Sequence, residues 1–144
     1  MAVLEGFAYW PFVTTPNTKY TPEYSVNLLV TPDVADSFRN RGFTVKEMDE
    51  GPALVIRRKV NGPEGMIRQA PKLLDRSKNP IDVSVGNGSK VKIQYKEWES
   101  TWNGQQYKGL DFQAMQVLEL VEYASPDGAE FDVLDDDDDA GSEF

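Results

Sequence analysis

Three lysines and two tryptophans recur at alternate positions in one stretch of the chain, a spacing that could bind a polyanion. Residues two apart share one face of a β-strand, so Lys90, Lys92, Lys96, Trp98 and Trp102 would share a face. Neighbouring ammonium groups then lie ~7 Å apart, close to the phosphate spacing of one nucleic-acid strand, and an indole can stack on a base. These are the features of sequence-tolerant single-strand binding. The alternative is a solvated sheet edge that lysines protect from aggregation.

A second basic segment and an aromatic pair could extend such a surface. Arg57 and Lys59 alternate with the apolar Ile56, and they would form one groove with the lysine strand if the two strands were neighbours. Tyr9 and Trp10 would lie on opposite faces of a strand, so we expect one ring in the core and the other exposed. Four further cations could flank the groove or serve only solubility: Arg68, Lys72, Arg76 and Lys78.

The elements that must position these residues are mostly strands. β-branched and aromatic runs, Gly/Pro punctuation and the Asn103-Gly104 hairpin signal predict five or six strands. Thr31-Pro32-Asp33 predicts the start of a short helix that ends at Gly42. Residues 113–120 also fit a helical face, although alternation favours a returning strand. Strands are predicted at 24–31, 43–48, 54–60, 81–85, 90–102 and 107–123, with a loop region at 61–80. This pattern predicts a small barrel or sandwich.

Charge divides the chain into two parts. Residues 1–110 hold 15 basic and 12 acidic residues, a net charge of +3, whereas residues 111–144 hold 12 acidic residues and no basic ones, a net charge of −12. A basic body with an acidic tail is typical of nucleic-acid-associated proteins. We therefore predict one domain over residues 1–124 and a disordered acidic tail over 125–144, since five consecutive aspartates cannot contribute to a core.

Composition argues against most enzymatic chemistry. The chain has no Cys and no His, which excludes thiol chemistry, disulfides and the commonest general base. The glycines around residue 87 lack phosphate-loop spacing, and adjacent aspartates in a flexible run do not form a rigid metal site. We expect no enzyme activity, no cofactor and no metal. The absence of an apolar run of ~20 residues or a signal sequence predicts an intracellular protein without a membrane partner.

Residues 80–123 resemble the single-stranded DNA-binding protein of T7-like bacteriophages. The similarity rests on the order and spacing of short motifs, on the basic body and acidic tail, and on the aromatic C-terminus. The motifs are Pro80-Ile81, Gly86-x-Gly88-Ser89-Lys90-x-Lys92-x-x-Tyr95, Trp102-Asn103 and Gln116-x-x-x-Leu120-Val121-Glu122.

This resemblance implies an OB-fold, a five-stranded Greek-key barrel with one helix, that binds single-stranded DNA during phage replication and recombination in the host cytoplasm. It assigns Tyr95 to DNA binding with Lys90 and Lys92, although alternation places Tyr95 inward. It also implies a homodimer and a tail that contacts the replicative DNA polymerase and the helicase–primase and competes for the DNA groove. The tail residues concerned are Asp135, Asp136, Asp137, Asp138, Asp139, Glu143 and Phe144. The competing hypothesis is an acidic interaction or DNA-mimic protein that binds no DNA.

Overall fold

The computed structural model describes residues 2–19 and 21–122, which form seven strands and one α-helix. The acidic tail, and with it the predicted boundary at residue 124, lies outside these residues. The elements are β1 (Ala2–Asn17), β2 (Glu23–Leu29), α1 (Pro32–Asn40), β3 (Val45–Met48), β4 (Gly51–Lys59), β5 (Lys72–Leu74), β6 (Ser89–Trp102) and β7 (Gln105–Glu119). No helix in the described ranges has the length and apolar character needed to cross a membrane.

Five strands close into a barrel in the order β1-β2-β4-β7-β6, with β6 returning to β1. Four contacts are antiparallel, and the closing contact is parallel, with Arg57 of β4 opposite Asp111 of β7. β3 pairs with β4 and β5 pairs with β7 as short additions. This topology is that of the OB-fold, so the predicted fold is confirmed, as is the strand assignment of residues 113–120.

Every second side chain of the barrel strands points inward, and these side chains fill the barrel. Inward positions of β2, β4, β6 and β7 carry aliphatic and aromatic side chains, and their burial supplies the main favourable term in folding. Eight of these side chains have relative exposure of 0%: Val26, Leu28, Leu54, Ile56, Val91, Ile93, Phe112 and Met115.

Helix α1 packs Ala35 and Phe38 into the core, and both of its ends follow sequence signals. The Thr31 hydroxyl accepts a hydrogen bond from the Val34 amide at 3.4 Å, and Pro32 occupies the first turn. At the other end Gly42 adopts φ 94°, and the Phe43 amide donates to the Phe38 carbonyl at 3.0 Å. These features form a Schellman motif, which requires a left-handed residue after the cap. The Phe38 and Phe43 rings complete it with an edge contact at 5.5 Å.

Two predictions, for residues 81–85 and for residues 61–80, need correction, and one strand was not predicted. The predicted strand at 81–85 is absent. The Ile81 amide donates to the Leu73 carbonyl, and of these five residues only Val85 forms a bridge, an isolated one to Glu122. The predicted loop region contains β5, whose backbone pairs with β7. The N-terminal strand spans 16 residues. It was not predicted because it contains Gly6, Pro11 and Pro16, residue types that usually interrupt strands.

Candidate nucleic-acid interface

The ends of β6 and β7 form a ribbon that extends past the barrel. β1 pairs with β6 only up to Tyr95, and β4 meets β7 only at Asp111. Among the described residues, the positions beyond these points pair only with each other, as far as the turn at Asn103-Gly104. Both turn residues have positive φ, 57° and 78°, the geometry of a two-residue hairpin turn whose twist matches its strands. We call residues 97–110 the ribbon.

One face of the ribbon carries three exposed aromatic rings. The register places Trp98 opposite Gly109, Tyr107 opposite Ser100 and Trp102 opposite Gln105. Because opposite residues and alternate residues share a face, the three rings lie on the same side, each across from a residue without a ring. Their exposures are 44% for Trp98, 43% for Tyr107 and 69% for Trp102. The opposite face carries Glu97, Glu99 and Lys108.

Below this aromatic face lies an open groove between the ribbon, β4 and the loop that follows β4. Its larger part has a volume of about 560 Å³, and an adjoining part of about 330 Å³ shares Arg57, Lys59 and Trp98 with it. We call the combined groove the cleft. Its principal polar and aromatic lining residues are Arg57, Arg58, Lys59, Arg68, Lys96, Trp98, Tyr107, Lys108 and Asp111.

The electrostatics of the cleft leave a positive surface. Arg58 donates two hydrogen bonds to Asp111, at 3.0 and 2.7 Å, and a third to the Gln69 carbonyl at 3.1 Å. The hydrogen bond with Asp111 raises the pKa of Arg58, an effect that burial opposes and the charge of Asp111 reinforces. The charge of Asp111, the carboxylate that lines the cleft, is therefore neutralised by the half-buried Arg58.

The remaining cations are available to a ligand. Arg57 approaches the carboxylate of Glu23 only to 3.8 Å, and its side chain is 57% exposed. In the described part of the chain, neither Lys59 nor Lys96 forms an ion pair. These three positive groups, with Arg68 and Lys108 beside them, line a cleft whose upper wall is aromatic. This arrangement suits a phosphate backbone with unstacked bases.

The structure brings together only part of the predicted site. Arg57 and Lys59 share a face as expected, and they meet Lys96 and Trp98 in the cleft. However, β4 is not the neighbour of β6, because β7 lies between them. The two basic strips therefore converge at one end instead of running side by side.

Lys90 and Lys92 lie on the outer surface of β6, away from the cleft. Their backbones lie opposite Phe7 and Glu5 of β1, and the Lys90 ammonium is 3.6 Å from the Glu5 carboxylate. Six residues separate Lys90 from Lys96, a distance of ~20 Å along a strand. The two lysines continue the cationic strip of β6 but do not line the cleft.

The burial of Tyr95 is inconsistent with the DNA-binding role that the family resemblance implied for it. Its side chain is 5% exposed, and its ring packs against Phe38 with centroids 6.2 Å apart. Burial raises its pKa; the charge of Glu97 adds to this effect and that of Arg41 opposes it. Tyr95 is a core residue, as the alternation of β6 indicated, and it is not a surface for a base.

Tyr9 and Trp10 occupy an irregularity of β1, and neither is in the core. The pairing between β1 and β2 shifts between Tyr9 and Phe12, and Trp10 adopts φ 53°. Its amide donates to the Asn87 side chain at 2.7 Å. Tyr9 is half-buried and Trp10 is 63% exposed, so the expectation of one core ring was wrong. Neither residue lines the cleft.

Sequence reasoning missed Tyr107 and Lys108. Counting back from the Asn103-Gly104 turn would have placed Tyr107 on the face of Trp98, because a two-residue turn sets the register of its strands. Of the four cations that could flank a groove, Arg68 borders the cleft, whereas Lys72, Arg76 and Lys78 are not among its lining residues. The predicted tail contacts, from Asp135 to Phe144, lie outside the described residues.

Comparison with known proteins identifies the fold. No family model matches the chain, and no curated protein matches its sequence. Among solved structures, gp2.5 of bacteriophage T7, a single-stranded DNA-binding protein, matches with a TM-score of 0.61 at 12% identity, over 88% of this chain and 96% of that one. The single-stranded DNA-binding protein of bacteriophage Enc34 matches with a TM-score of 0.56 at 12% identity, over 86% and 84%.

The Enc34 protein also matches in a complex with single-stranded DNA, with a TM-score of 0.53 at 12% identity, over 85% of this chain and 89% of that one. The resemblance to phage single-stranded DNA-binding proteins that the sequence motifs suggested is thus confirmed in three dimensions. At this level of identity, the likeness establishes the fold.

Proposed function

We propose that this chain binds single-stranded DNA without sequence preference and without catalysis. The observation that supports this most strongly is the cleft: Trp98 and Tyr107 of the ribbon line it together with Arg57, Lys59 and Lys96. Trp102 continues the same aromatic face beyond the cleft. The fold agrees, since β4 and the β6–β7 ribbon correspond to the third barrel strand and to the connection between the fourth and fifth, two of the elements through which OB-folds bind oligonucleotides. The structural neighbours, including one in complex with single-stranded DNA, belong to the same functional class.

Binding in the cleft combines two physical terms. Lysine and arginine side chains neutralise phosphates and release counterions, so the logarithm of affinity falls with the logarithm of salt at about −0.7 per phosphate neutralised. Each base that stacks on a ring adds ~1–3 kcal/mol with little dependence on its identity. Because bases in a duplex are already stacked and paired, their faces are inaccessible to these rings, and single strands are preferred.

The acidic tail is the second element of the proposal. Tethered to a cationic body, a strongly acidic segment competes with DNA at high effective concentration. The same segment would recruit the replicative polymerase and the helicase–primase. On this proposal the protein acts as a homodimer in phage DNA replication and recombination, in the cytoplasm of the infected bacterial cell.

The test is a titration monitored by fluorescence anisotropy. Fluorescein-labelled oligo-dT, with a matching duplex as the control, is titrated with full-length protein at two salt concentrations. We expect salt-sensitive binding that favours the single strand. Absence of binding by both the full-length chain and a chain truncated after residue 125 would reject the proposal and favour an acidic protein that occupies another protein's nucleic-acid site.

A further inference from the structure

The C-terminus of helix α1 contacts the back of the ribbon, opposite the aromatic face. The Arg41 guanidinium donates to both carboxylate oxygens of Glu97, at 3.0 and 2.9 Å. The Arg41 carbonyl accepts a hydrogen bond from the Lys108 ammonium at 2.5 Å. Glu97 belongs to β6 and Lys108 to β7, so one residue of the helix end joins both strands of the ribbon. We call Arg41, Glu97 and Lys108 the clasp.

The geometry of the helix end holds Arg41 in place. The Schellman motif turns the chain at Gly42, whose amide donates to the Arg39 carbonyl at 3.0 Å. The Arg41 guanidinium lies 4.6 Å from the centroid of the Phe38 ring and 5.2 Å from that of Phe43. Such cation–π contacts orient the planar guanidinium, so that its Nη1 atom reaches both oxygens of the Glu97 carboxylate. The helix end therefore fixes the position of Arg41, the residue of the clasp that joins the two strands.

Strand alternation places Glu97 and Lys108 on the ribbon face opposite the DNA-binding rings, and Lys108 also borders the smaller part of the cleft. Glu97 follows the face of buried Tyr95, whereas Trp98 faces the cleft with Lys96. Arg41 itself does not line the cleft. A two-stranded hairpin alone is marginally stable in water, so its orientation depends on contacts at its base.

We propose that Arg41 is a positioning residue, which fixes the ribbon and thereby holds Trp98 and Tyr107 over the cleft without touching DNA. The effect on DNA binding rests on the proposed function, whereas the stabilisation of the ribbon by Arg41 can be measured without DNA. It requires that Glu97, although negatively charged and close to a DNA-binding face, supports binding.

The sign of the Glu97 effect separates this proposal from simple electrostatics. Removing a carboxylate near bound DNA strengthens binding if charge alone matters. If the clasp positions the rings, Glu97→Ala weakens binding in spite of the charge it removes. Glu99→Ala is the matched control, because Glu99 carries the same charge on the same ribbon face and bonds Gln106 instead of Arg41. We expect no weakening from Glu99→Ala.

The experiment measures oligo-dT affinity of full-length variants over a series of salt concentrations. We expect Arg41→Ala and Glu97→Ala each to weaken binding roughly threefold to fivefold, in line with the modest strength of exposed ion pairs. The salt slope should stay unchanged for Arg41→Ala. A slope that falls by about 0.7 would mean that Arg41 contacts a phosphate directly, and this result, or stronger binding by Glu97→Ala, would overturn the proposal. Arg41→Lys, which keeps the charge but loses the planar guanidinium that lies over Phe38 and Phe43, should restore part of the affinity.

Hydrogen exchange of the ribbon amides tests the clasp in the absence of DNA. We expect faster exchange at 98–109 in Arg41→Ala and Lys108→Met, and no change in Glu99→Ala. Unchanged ribbon exchange in Arg41→Ala would refute the clasp whatever the DNA result. Faster exchange with no DNA binding by the wild type would instead support the clasp while rejecting the proposed function.

Discussion

Trp98 and Gly109 face each other across the ribbon, and the indole occupies the space where a side chain at 109 would lie. A Cβ atom at Gly109 would come within 2.3 Å of Cζ2 and 2.4 Å of Cε2 of the indole. Real Cβ atoms do not approach other atoms so closely, so only glycine permits this ring position. The pair links a backbone requirement of β7 to the placement of an exposed ring of β6.

Gly109→Ala should therefore weaken single-stranded DNA binding by moving Trp98. We expect a loss no larger than that of Trp98→Ala, which removes one stacked base at ~1–3 kcal/mol. The double variant should bind as weakly as Trp98→Ala alone, because both changes remove the same contact. Additive losses by oligo-dT anisotropy would show that Gly109 acts through something other than this ring.

Lys59 and Lys96 should contribute to binding through charge. Replacement of either by alanine should weaken oligo-dT binding most at low salt and reduce the salt slope by about 0.7. Lys46→Ala on β3, outside the cleft, serves as the control and should leave the slope unchanged. If Lys90→Ala lowers the slope as much as Lys96→Ala, the bound strand continues from the cleft along the outer surface of β6.

Tyr95 should make stability depend on alkaline pH. Its pKa in the folded protein is raised above the ordinary value of 10.0, chiefly by burial, so the folded state retains a proton that the unfolded chain releases. The free energy of unfolding consequently falls as pH rises above 10.0. Urea denaturation across this range should show a shallower decline in Tyr95→Phe than in the wild type. Equal declines in the two proteins would show that Tyr95 is not the source of the alkaline loss of stability.

Deletion of residues 126–144 should strengthen DNA binding, most of all at low salt. The deletion removes nine of the twelve acidic residues that follow position 110, and with them an intramolecular competitor whose attraction to the cleft is screened by salt. Anisotropy titrations of the full-length and truncated chains at two salt concentrations measure the difference. Identical affinities at low salt would eliminate the tail as a competitor.

Local patterns in the sequence predicted the elements that position the cleft. The alternation in β6 placed Lys96 and Trp98 outward, and Asn103-Gly104 predicted the hairpin that the structure contains. The helix signals at Thr31 and Gly42 were equally clear. These features were predictable because each depends on a few neighbouring residues whose backbone preferences and burial are strong.

The sequence alone determined the charge asymmetry, the strand-rich character and the outward face of β6. Only the tertiary structure decided which cations meet, because closure through Arg57 and Asp111 inserts β7 between β4 and β6. It also decided that Arg41, at the end of the helix, bonds Glu97 at a separation of 56 residues. Local periodicity specifies which way a side chain points, whereas long-range strand order and register specify what it meets.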